Sequence, residues 1–280
     1  MLPHPSLSIP ATRIAPSRGW GALKLGEIWK RRELLYLFVW RDLKVRYKQT
    51  LLGATWAVIQ PVVTMVLFSV IFGGLAGMPS DGLPYPIFTF AALLPWYYFA
   101  SSLSRVAGSV VAEAHLISKI YFPRLIVPLS GVAAGIVDFT ISFCVLLVMM
   151  LWFGLFPTWR VVTLPVFLLL VAATALGVGL WLSALNVRYR DIGHVMPFVI
   201  QSWFFASPVI YPVTMVPERW RLLYSLNPMV GVLEGFRWAL LGKEAPRLDV
   251  MAASTVVVAA LLVGGAFYFK RVERTFADLA

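Results

Sequence analysis

Two clusters of aromatic residues interrupt long aliphatic runs of this sequence. One lies in "PWYYF" at residues 95–99, and the other in "SWFFASPVIYP" at residues 202–212. The side chains concerned are Trp96, Tyr97, Tyr98, Trp203, Phe204 and Tyr211. Aromatic faces stack on the apolar C–H faces of sugars, while tyrosine O–H and tryptophan N–H groups form hydrogen bonds. The clusters therefore indicate a surface for sugars, and the alternative interpretation is ordinary packing between helices or against lipid.

Sequence patterns for other chemistry are missing. There is no G-x-x-x-x-G-K-[ST] phosphate loop, no H-E-x-x-H zinc pair and no second cysteine beside Cys144. We therefore name no catalytic residue and expect this chain to bind no metal and no cofactor of its own. Any ATP has to be bound and hydrolysed by another chain.

The composition is that of a membrane protein. Hydrophobic residues make up 60% of the 280 residues and charged residues 13%, whereas a soluble domain is roughly half apolar and a quarter charged. About 20 apolar residues are enough to cross a bilayer as a helix. Six stretches of about this length predict an all-α integral membrane protein. They cover residues 54–77, 85–111, 125–153, 161–185, 192–216 and 250–269.

The basic residues indicate how these spans are oriented. Of the 24 Lys and Arg residues, 18 lie on one set of alternate flanks, and the first loop of the other set, "MPSDGLPY", has none. Because cytoplasmic loops carry the excess of Lys and Arg, both termini are predicted to be cytoplasmic. The net charge of +11 is then explained by anionic lipid rather than by nucleic acid. No cleaved signal peptide is expected, since no uncharged apolar run precedes the first span.

A charged helix is predicted before the first span. Over residues 27–49, Tyr36, Trp40 and Tyr47 share one face, while Arg41 and Lys48 project from another, which is typical of a helix lying along the membrane surface. Two roles are open for it, a basic anchor at the inner leaflet and a mechanical lever joined to the first span. The predicted division is a cytoplasmic tail at 1–26, an amphipathic interface helix at 27–50 and a six-span membrane domain at 51–280.

The segment between the fifth and sixth stretches is too long for a simple turn and too polar to cross. Pro228 disfavours helical geometry at Asn227, so residues 217–246 are predicted to form two short helices. They would either enter the outer leaflet as re-entrant helices or form a structured external loop.

Ionisable residues within the predicted spans are few. Asp138 lies inside the third stretch, while Arg105 and His194 lie near predicted cytoplasmic ends. An ion-coupled carrier would be expected to have several such groups at mid-membrane. For Asp138 two interpretations stay open, a structural pair with a neighbouring helix and a place on a wet pathway.

The stretch "LISKIYFPRLIVP", residues 116–128, is a charged and aromatic break between two long apolar runs. It contains Lys119, Tyr121, Phe122, Pro123 and Arg124. A simple linker would need only small, flexible residues. The charge distribution places this turn on the cytoplasmic side.

Four blocks together resemble the permease subunit of type-2 ATP-binding-cassette transporters, specifically the exporters of O-antigen, capsule or teichoic-acid chains. They are "RDLKVRYKQTLLGATWAVIQPV", "ISKIYFPRLIVPLSGV", "NVRYRDIGHVMPFVIQSWFFASPVIYP" and "YSLNPMVGVLEGFRWALLG". The resemblance runs from about Arg41 over nearly the whole remaining chain.

The resemblance implies two copies of this chain around one path, with two cytoplasmic ATPase subunits that bind ATP and Mg²⁺. It implies that the first and fifth spans line the path, which adds Trp56 and Gln60 to the two aromatic clusters. It also implies that residues 118–124 form a coupling helix that contacts the ATPase. In that role Pro123 ends the helix, Tyr121 and Phe122 fill a pocket of the partner, and charged residues meet partner carboxylates. The coupling residues are then Ser118, Lys119, Tyr121, Phe122, Pro123 and Arg124.

The function expected from this resemblance is export of a lipid-linked polysaccharide across the bacterial inner membrane. A type-2 permease for drugs or small lipids is the alternative within the class. From other classes, a membrane-embedded glycosyl- or acyltransferase would need an acid, base or metal site in a loop, and "DxD"-like or His-rich loops are missing. An assembly protein without transport activity would have no need for two aromatic clusters at matched depth.

Overall fold

The computed structural model describes residues 25–48, 55–242, 245–273 and 276, and every regular element in these ranges is a helix. The helices α1 to α11 span Leu25–Lys30, Arg32–Lys48, Trp56–Phe68, Tyr85–Ala112, Ala114–Lys119, Ile126–Trp152, Leu164–Arg188, Ile192–Phe205, Glu218–Tyr224, Pro228–Leu241 and Leu248–Val272. All but the last two residues of the predicted tail at 1–26 lie outside the described residues, as does the junction at 49–54.

Among the described helices, four are long and apolar enough to cross a membrane: Trp56–Leu75, Ile126–Trp152, Trp159–Arg188 and Leu248–Val272. The first consists of α3 and a π-helical continuation over Ser69–Leu75. Helix α8 is apolar but shorter, and α4 is long enough at 28 residues. Helix α4 carries Trp, Tyr, Ser and one arginine, Arg105, along its length. Four of the six predicted spans are therefore matched by long apolar helices.

Helix α4 is the centre of the fold. It packs against α6, α7, α10 and α3, and most of its residues are buried, including Phe90, Leu93 and Phe99 at 0% exposure. A helix that is surrounded on all sides by other helices does not need the uniform hydrophobicity of one facing lipid. This explains why α4 can carry serines and an arginine.

Small residues let the outer helices approach one another closely. A Cβ added at Gly177 of α7 would lie 2.8 Å from the backbone nitrogen of Leu262 in α11, and one at Gly265 would lie 2.4 Å from the carbonyl oxygen of Gly177. Such distances are possible only for glycine, and close backbone approach is the usual way in which helices associate in membranes. Helices α7 and α11 therefore form one tightly packed pair.

The prediction of one continuous fifth helix over 192–216 is wrong. Helix α8 ends at Phe205, and the chain continues through turns to a short 3₁₀ helix at Val213–Met215. Pro208 disfavours helical geometry in the residue before it, and the Asn227 side chain donates to the carbonyl oxygen of Ala206 at 2.9 Å. The carbonyl oxygen of Ala206, directly after the last residue of α8, therefore accepts its hydrogen bond from a side chain rather than from a further helical turn.

The prediction of two short helices in the segment after the fifth stretch is confirmed. They are α9 and α10, and Asn227 caps α10 by accepting a hydrogen bond from the backbone N–H of Met229. Arg237 of α10 is 5% exposed and donates to the carbonyl oxygens of Pro208 at 2.7 Å and Val209 at 2.8 Å. We call this set of contacts the Arg237 brace, because it holds the segment after α8 against α10.

Candidate functional site: an aromatic and hydroxyl-lined groove

Two adjoining cavities of about 310 and 460 Å³ lie along α4. Both are lined by Gln60, Tyr97 and Ser101, so they form one continuous groove between α3 and α4. The smaller cavity extends to α6 and the end of α2, and the larger extends to α8. We refer to the whole as the Gln60 groove.

Helical spacing brings the lining side chains into rows. On α3, Gln60, Thr64 and Phe68 follow one another at intervals of four residues, which places them on one face. On α4, Tyr97 and Ser101 have the same spacing, and on α8 Ile200 and Phe204 do. The Thr64 and Tyr97 hydroxyls are 2.7 Å apart and share a hydrogen bond. The rows thus present amide and hydroxyl groups beside aromatic rings.

Side chains of the two aromatic clusters predicted from the sequence contact one another, one pair lining this groove and the other lying beside it. The ring centroids of Trp96 and Phe204 are 5.3 Å apart, and those of Phe99 and Trp203 are 5.0 Å apart. Both pairs have edge-to-face or nearly edge-to-face geometry, which is favourable for aromatic rings. The structure therefore brings the two clusters into contact, and their common depth in the membrane stays a prediction.

Six of the eight residues predicted for the pathway line the groove. They are Trp56, Gln60, Trp96, Tyr97, Tyr98 and Phe204. Their exposure differs, because Trp56 is 54% exposed while Trp96 is 3% exposed and Tyr98 is 2% exposed. Trp56 therefore stands at the rim, and the buried aromatics form the wall.

Trp203 and Tyr211 lie away from the Gln60 groove. The Trp203 indole N–H donates to the Asn227 side-chain oxygen at 2.8 Å, and Trp203 lines an open apolar hollow beside α9 and α11. The Tyr211 and Tyr224 hydroxyls are 3.0 Å apart. Trp203 directly precedes Phe204 in α8 and projects from a different face of the helix, whereas Tyr211 follows the end of α8 at Phe205.

Charged residues that the sequence analysis did not assign to the pathway form the floor of the smaller cavity. The Asp138 carboxylate of α6 accepts hydrogen bonds from the Arg46 guanidinium and, at 2.5 Å, from the Tyr47 hydroxyl. Arg105 of α4 lies 4.0 Å from the same carboxylate. Asp138 thus pairs with neighbouring helices, as one of the two interpretations expected, and it also lines the groove, while its place on a wet pathway stays a prediction.

The Asp138 cluster, which comprises Arg46, Tyr47, Arg105 and Asp138, joins α2, α4 and α6. Burial and the hydrogen bond to Asp138 raise the pKa of Tyr47 to about 12. One signal in the sequence pointed to the cluster. A lone aspartate in an apolar helix needs a basic partner, and "RYK" at the end of the charged helix is the nearest basic segment before the first span.

A second ion pair also holds α2. The Arg41 guanidinium donates to both carboxylate oxygens of Glu113, at 3.0 and 2.5 Å, which raises the pKa of Arg41. Glu113 lies at the junction of α4 and α5. Helix α2 is therefore tied both to the α4–α5 junction and to α6.

The short helix near the predicted coupling segment lies earlier in the chain than residues 118–124. Helix α5 covers Ala114–Lys119, and Ile120 is already extended, so Pro123 does not end it. Residues 120–123 are not helical, and Pro123 disfavours helical geometry at Phe122, the residue before it. In the predicted set, Ser118, Lys119 and Tyr121 are exposed while Pro123 and Arg124 are half-buried.

The expectation that Phe122 fills a pocket of a partner is wrong for this structure. Phe122 is 4% exposed and packs on Phe38 of α2, with ring centroids 5.9 Å apart. Its neighbour Tyr121 is 69% exposed. Arg124 donates to the carbonyl oxygen of Glu273 and lies over the ring of Phe276. These residues therefore join the turn to α2 and to the end of α11 in the same chain.

No group of three or more His, Cys, Asp or Glu side chains that could hold a metal ion occurs within the described ranges. The Gln60 groove contains one carboxylate against two guanidinium groups and several hydroxyls. Such a lining can bind polar and weakly anionic molecules, and its aromatic walls can bind flat apolar faces.

Residues 33–241 match the model of the ABC-2 type transporter family. The chain belongs to this family. As an ABC-2 permease it is a multi-pass membrane protein and a transport subunit without a catalytic domain, and permeases of this family work with an ABC ATPase.

Proteins similar in sequence to this chain carry the names of transport proteins. An O-antigen export system permease protein RfbA of Myxococcus xanthus is 30% identical over 255 residues, which cover 90% of this chain and 97% of that protein. A Klebsiella pneumoniae protein of the same name is 30% identical over 206 residues, covering 73% and 79%. A polysialic acid transport protein KpsM of Escherichia coli is 24% identical over 249 residues, covering 86% and 93%.

Proposed function

We propose that this ABC-2 permease exports a lipid-linked polysaccharide, and that the glycan moves along the Gln60 groove. The observation that carries the proposal is the shared lining of the two cavities by Gln60, Tyr97 and Ser101, beside the Trp96 and Phe204 rings. The names of the relatives, which concern O-antigen and polysialic acid, support a glycan as the cargo.

The physical requirement is a path that is wet and weakly adhesive. A sugar hydroxyl that loses water without gaining a partner costs roughly 1–3 kcal/mol, so a tight apolar tunnel would block a long glycan. The hydroxyls of Thr64, Tyr97 and Ser101 replace lost water contacts, and aromatic faces hold each sugar without requiring one orientation. Continuous movement requires that each site release its ligand as readily as it binds it.

An enclosed path needs a second wall opposite the groove. We propose that a second copy of this chain provides it. Helix α3 and its π-helical continuation are peripheral, and their outward residues Val63, Leu67 and Val70 are 51%, 53% and 57% exposed. Two copies that meet along α3 and α8 would enclose the groove between them. Trp203 and Tyr211 are proposed to contact the glycan beyond α8, where the chain turns into the 206–212 segment.

The proposed topology has six crossings, with both termini in the cytoplasm of a bacterial cell. Helices α4 and α8, the latter with the segment after it, supply the two crossings beyond the four long apolar helices. The proposed division keeps 27–50 as the interface segment and 51–280 as the membrane domain, with α9 and α10 as a re-entrant pair. The inner membrane is the proposed location, as in the name of an Escherichia coli relative, inner membrane transport permease YadH.

The proposed partner is a cytoplasmic ABC ATPase present in two copies, which binds ATP and Mg²⁺. Helix α5 and the exposed side chains of Ser118, Lys119 and Tyr121 form the proposed contact. Pro123 and Arg124 hold the turn in position rather than touching the partner. The coupling surface is thus smaller than the sequence predicted.

The test is export by the complete complex in proteoliposomes loaded with the lipid-linked glycan of the source cell. Tyr97→Ala should reduce ATP-dependent export strongly while leaving assembly and basal ATP hydrolysis intact, and Tyr97→Phe should retain most export because the ring face remains. Tyr189→Ala serves as a matched control, since Tyr189 is 53% exposed and outside the groove.

Two results would contradict the proposal. One is normal export by the Tyr97→Ala and Gln60→Ala variants in correctly assembled complexes. The other is a wild-type complex that transports small lipids or drugs but no glycan. Purified permease alone should show no ATP hydrolysis, since the sequence contains no phosphate-binding loop.

A further inference from the structure

A separate polar cavity of about 390 Å³ lies between the loop before α4, the segment after α8 and the side of α10. Its charged and hydroxyl-bearing lining consists of Asp81, Thr214, Arg221, Glu234, Arg237 and Arg247. This volume is within the range of small-molecule sites. The cavity shares no lining residue with the Gln60 groove.

The three arginines of this cavity already have partners. Arg237 donates to backbone carbonyls in the brace, Arg221 donates to the carbonyl oxygen of Val216 at 2.9 Å, and Arg247 pairs with Asp249 at 2.9 Å. They shape the cavity and set its positive potential. A free cation would be repelled by three guanidinium groups around one small space.

The carboxylates of Asp81 and Glu234 can accept more hydrogen bonds than they do in this structure. Asp81 accepts one hydrogen bond from the Thr214 hydroxyl at 3.2 Å. Glu234 is half-buried at the cavity wall and, within the described ranges, forms no hydrogen bond and no ion pair. An ionised carboxylate can accept about four hydrogen bonds. The cavity therefore offers acceptors that require a ligand with O–H or N–H donors and no positive charge.

We propose that this cavity binds a hydroxyl-bearing sugar unit of the glycan after it leaves the Gln60 groove. The inference rests on the proposed function and adds a second, carboxylate-based site to it. Vicinal hydroxyls can donate to Glu234 and Asp81, and charge-assisted hydrogen bonds of this kind are stronger than neutral ones. The polar lining excludes a lipid tail, which would leave the carboxylates without partners.

The backbone connects the two sites. Phe204 lines the Gln60 groove, and the same chain continues through Pro208 and Val209, which the brace holds, to Thr214 at the cavity. The turns that carry Asp81 and Thr214 lie on the side opposite the basic flanks in the proposed topology. The cavity therefore lies where the glycan would leave the permease, on the side of the membrane opposite the cytoplasm.

The experiment uses the assembled complex with Cys144→Ser and a single new cysteine, Thr214→Cys, labelled from outside by an impermeant maleimide. In glycan-loaded vesicles oriented with the ATPase in the lumen, ATP enclosed in the lumen should slow labelling of this cysteine about threefold, the factor expected for two-thirds occupancy. Thr158→Cys, on an exposed turn of the same proposed side, should label at one rate throughout.

Glu234→Ala should abolish the protection and slow export, and Glu218→Ala should do neither, because Glu218 is 80% exposed and does not line the cavity. If Glu234→Ala fails to assemble, Glu234→Gln should assemble and reduce the protection.

Export at the full rate without protection of the thiol introduced by Thr214→Cys overturns this inference alone. Absence of wild-type glycan export overturns the proposed function as well, and protection by calcium chloride without ATP assigns the cavity to a cation instead.

Discussion

The Asp138 cluster and the Arg237 brace both hold helices together with arginine, but they use different acceptors. In the brace, a 5% exposed guanidinium donates to backbone carbonyl oxygens of Pro208 and Val209. In the cluster, half-buried side chains from α2, α4 and α6 meet at one carboxylate. A backbone acceptor is fixed by the chain itself, whereas a side-chain ion pair can open and exchange partners.

The difference indicates which end of the molecule can move. The segment after α8 cannot leave α10 without exposing buried carbonyls, whose unpaired cost is about 1–3 kcal/mol each. Helix α2 can leave Asp138 at smaller cost, because water and the remaining arginine compensate the charges. We therefore expect the region of α2 to respond to the ATPase, while the segment after α8 stays in place.

The largest effect is expected where Phe122, in the turn after α5, packs against α2. Phe122→Ala should destabilise the folded chain by about 3–5 kcal/mol, because it removes a buried ring from the contact with Phe38. Thermal unfolding of the purified permease in detergent measures this. Tyr121→Ala should leave unfolding unchanged and weaken ATPase binding or coupling. Equal stability of the two variants would mean that Phe122 faces the partner after all.

Breaking the brace is expected to have the next largest effect. Arg237→Met should destabilise the chain by about 3 kcal/mol, since it leaves several buried carbonyls without a donor. Arg237→Lys should recover only part of this, because an ammonium group lacks the planar fork. The exposed Arg219→Met is the control. A brace variant as stable as that control would place the segment after α8 among the mobile parts.

The Asp138 cluster should show a smaller effect that is local to α2. Asp138→Asn should raise amide hydrogen exchange across residues 41–48 by about tenfold, equivalent to about 1.4 kcal/mol, with little change in α10. The exposed Glu33→Gln on the same helix is the control. Exchange that rises equally in α10 would show that the two regions are not independent.

The smallest effect concerns proton binding at Tyr47. Because its pKa is raised from 10.0 to about 12, the neutral hydroxyl contributes stability that is fully present below pH 10 and lost as the pH rises through 12. Ultraviolet titration of the wild type and of Tyr47→Phe should show equal numbers of tyrosines ionising near the ordinary tyrosine pKa of about 10, and the two should differ near pH 12. Ionisation of Tyr47 at its ordinary pKa would mean that the contact with Asp138 is absent in solution.

Composition and local pattern determined the class of this protein and several of its elements. The apolar stretches, the basic flanks and the Asn227–Pro228 break predicted helices, orientation and the α9–α10 pair, because each depends on residues close together in the chain. Each aromatic cluster was likewise visible as a local run of residues. Four sequence blocks sufficed to indicate the family.

Only the tertiary structure decided which side chains meet. It placed Phe122 inside the chain and Tyr121 outside, although the two are adjacent, because a non-helical turn points neighbours in opposite directions. It turned Trp203 away from the groove that Phe204 lines, because adjacent helical residues project from different faces, and it ended α8 at Phe205, before Tyr211. It also joined Asp138 to Arg46, 92 residues earlier. Contacts of this kind depend on how helices cross, and helix crossing is set by packing across the whole bundle rather than by any local stretch of sequence.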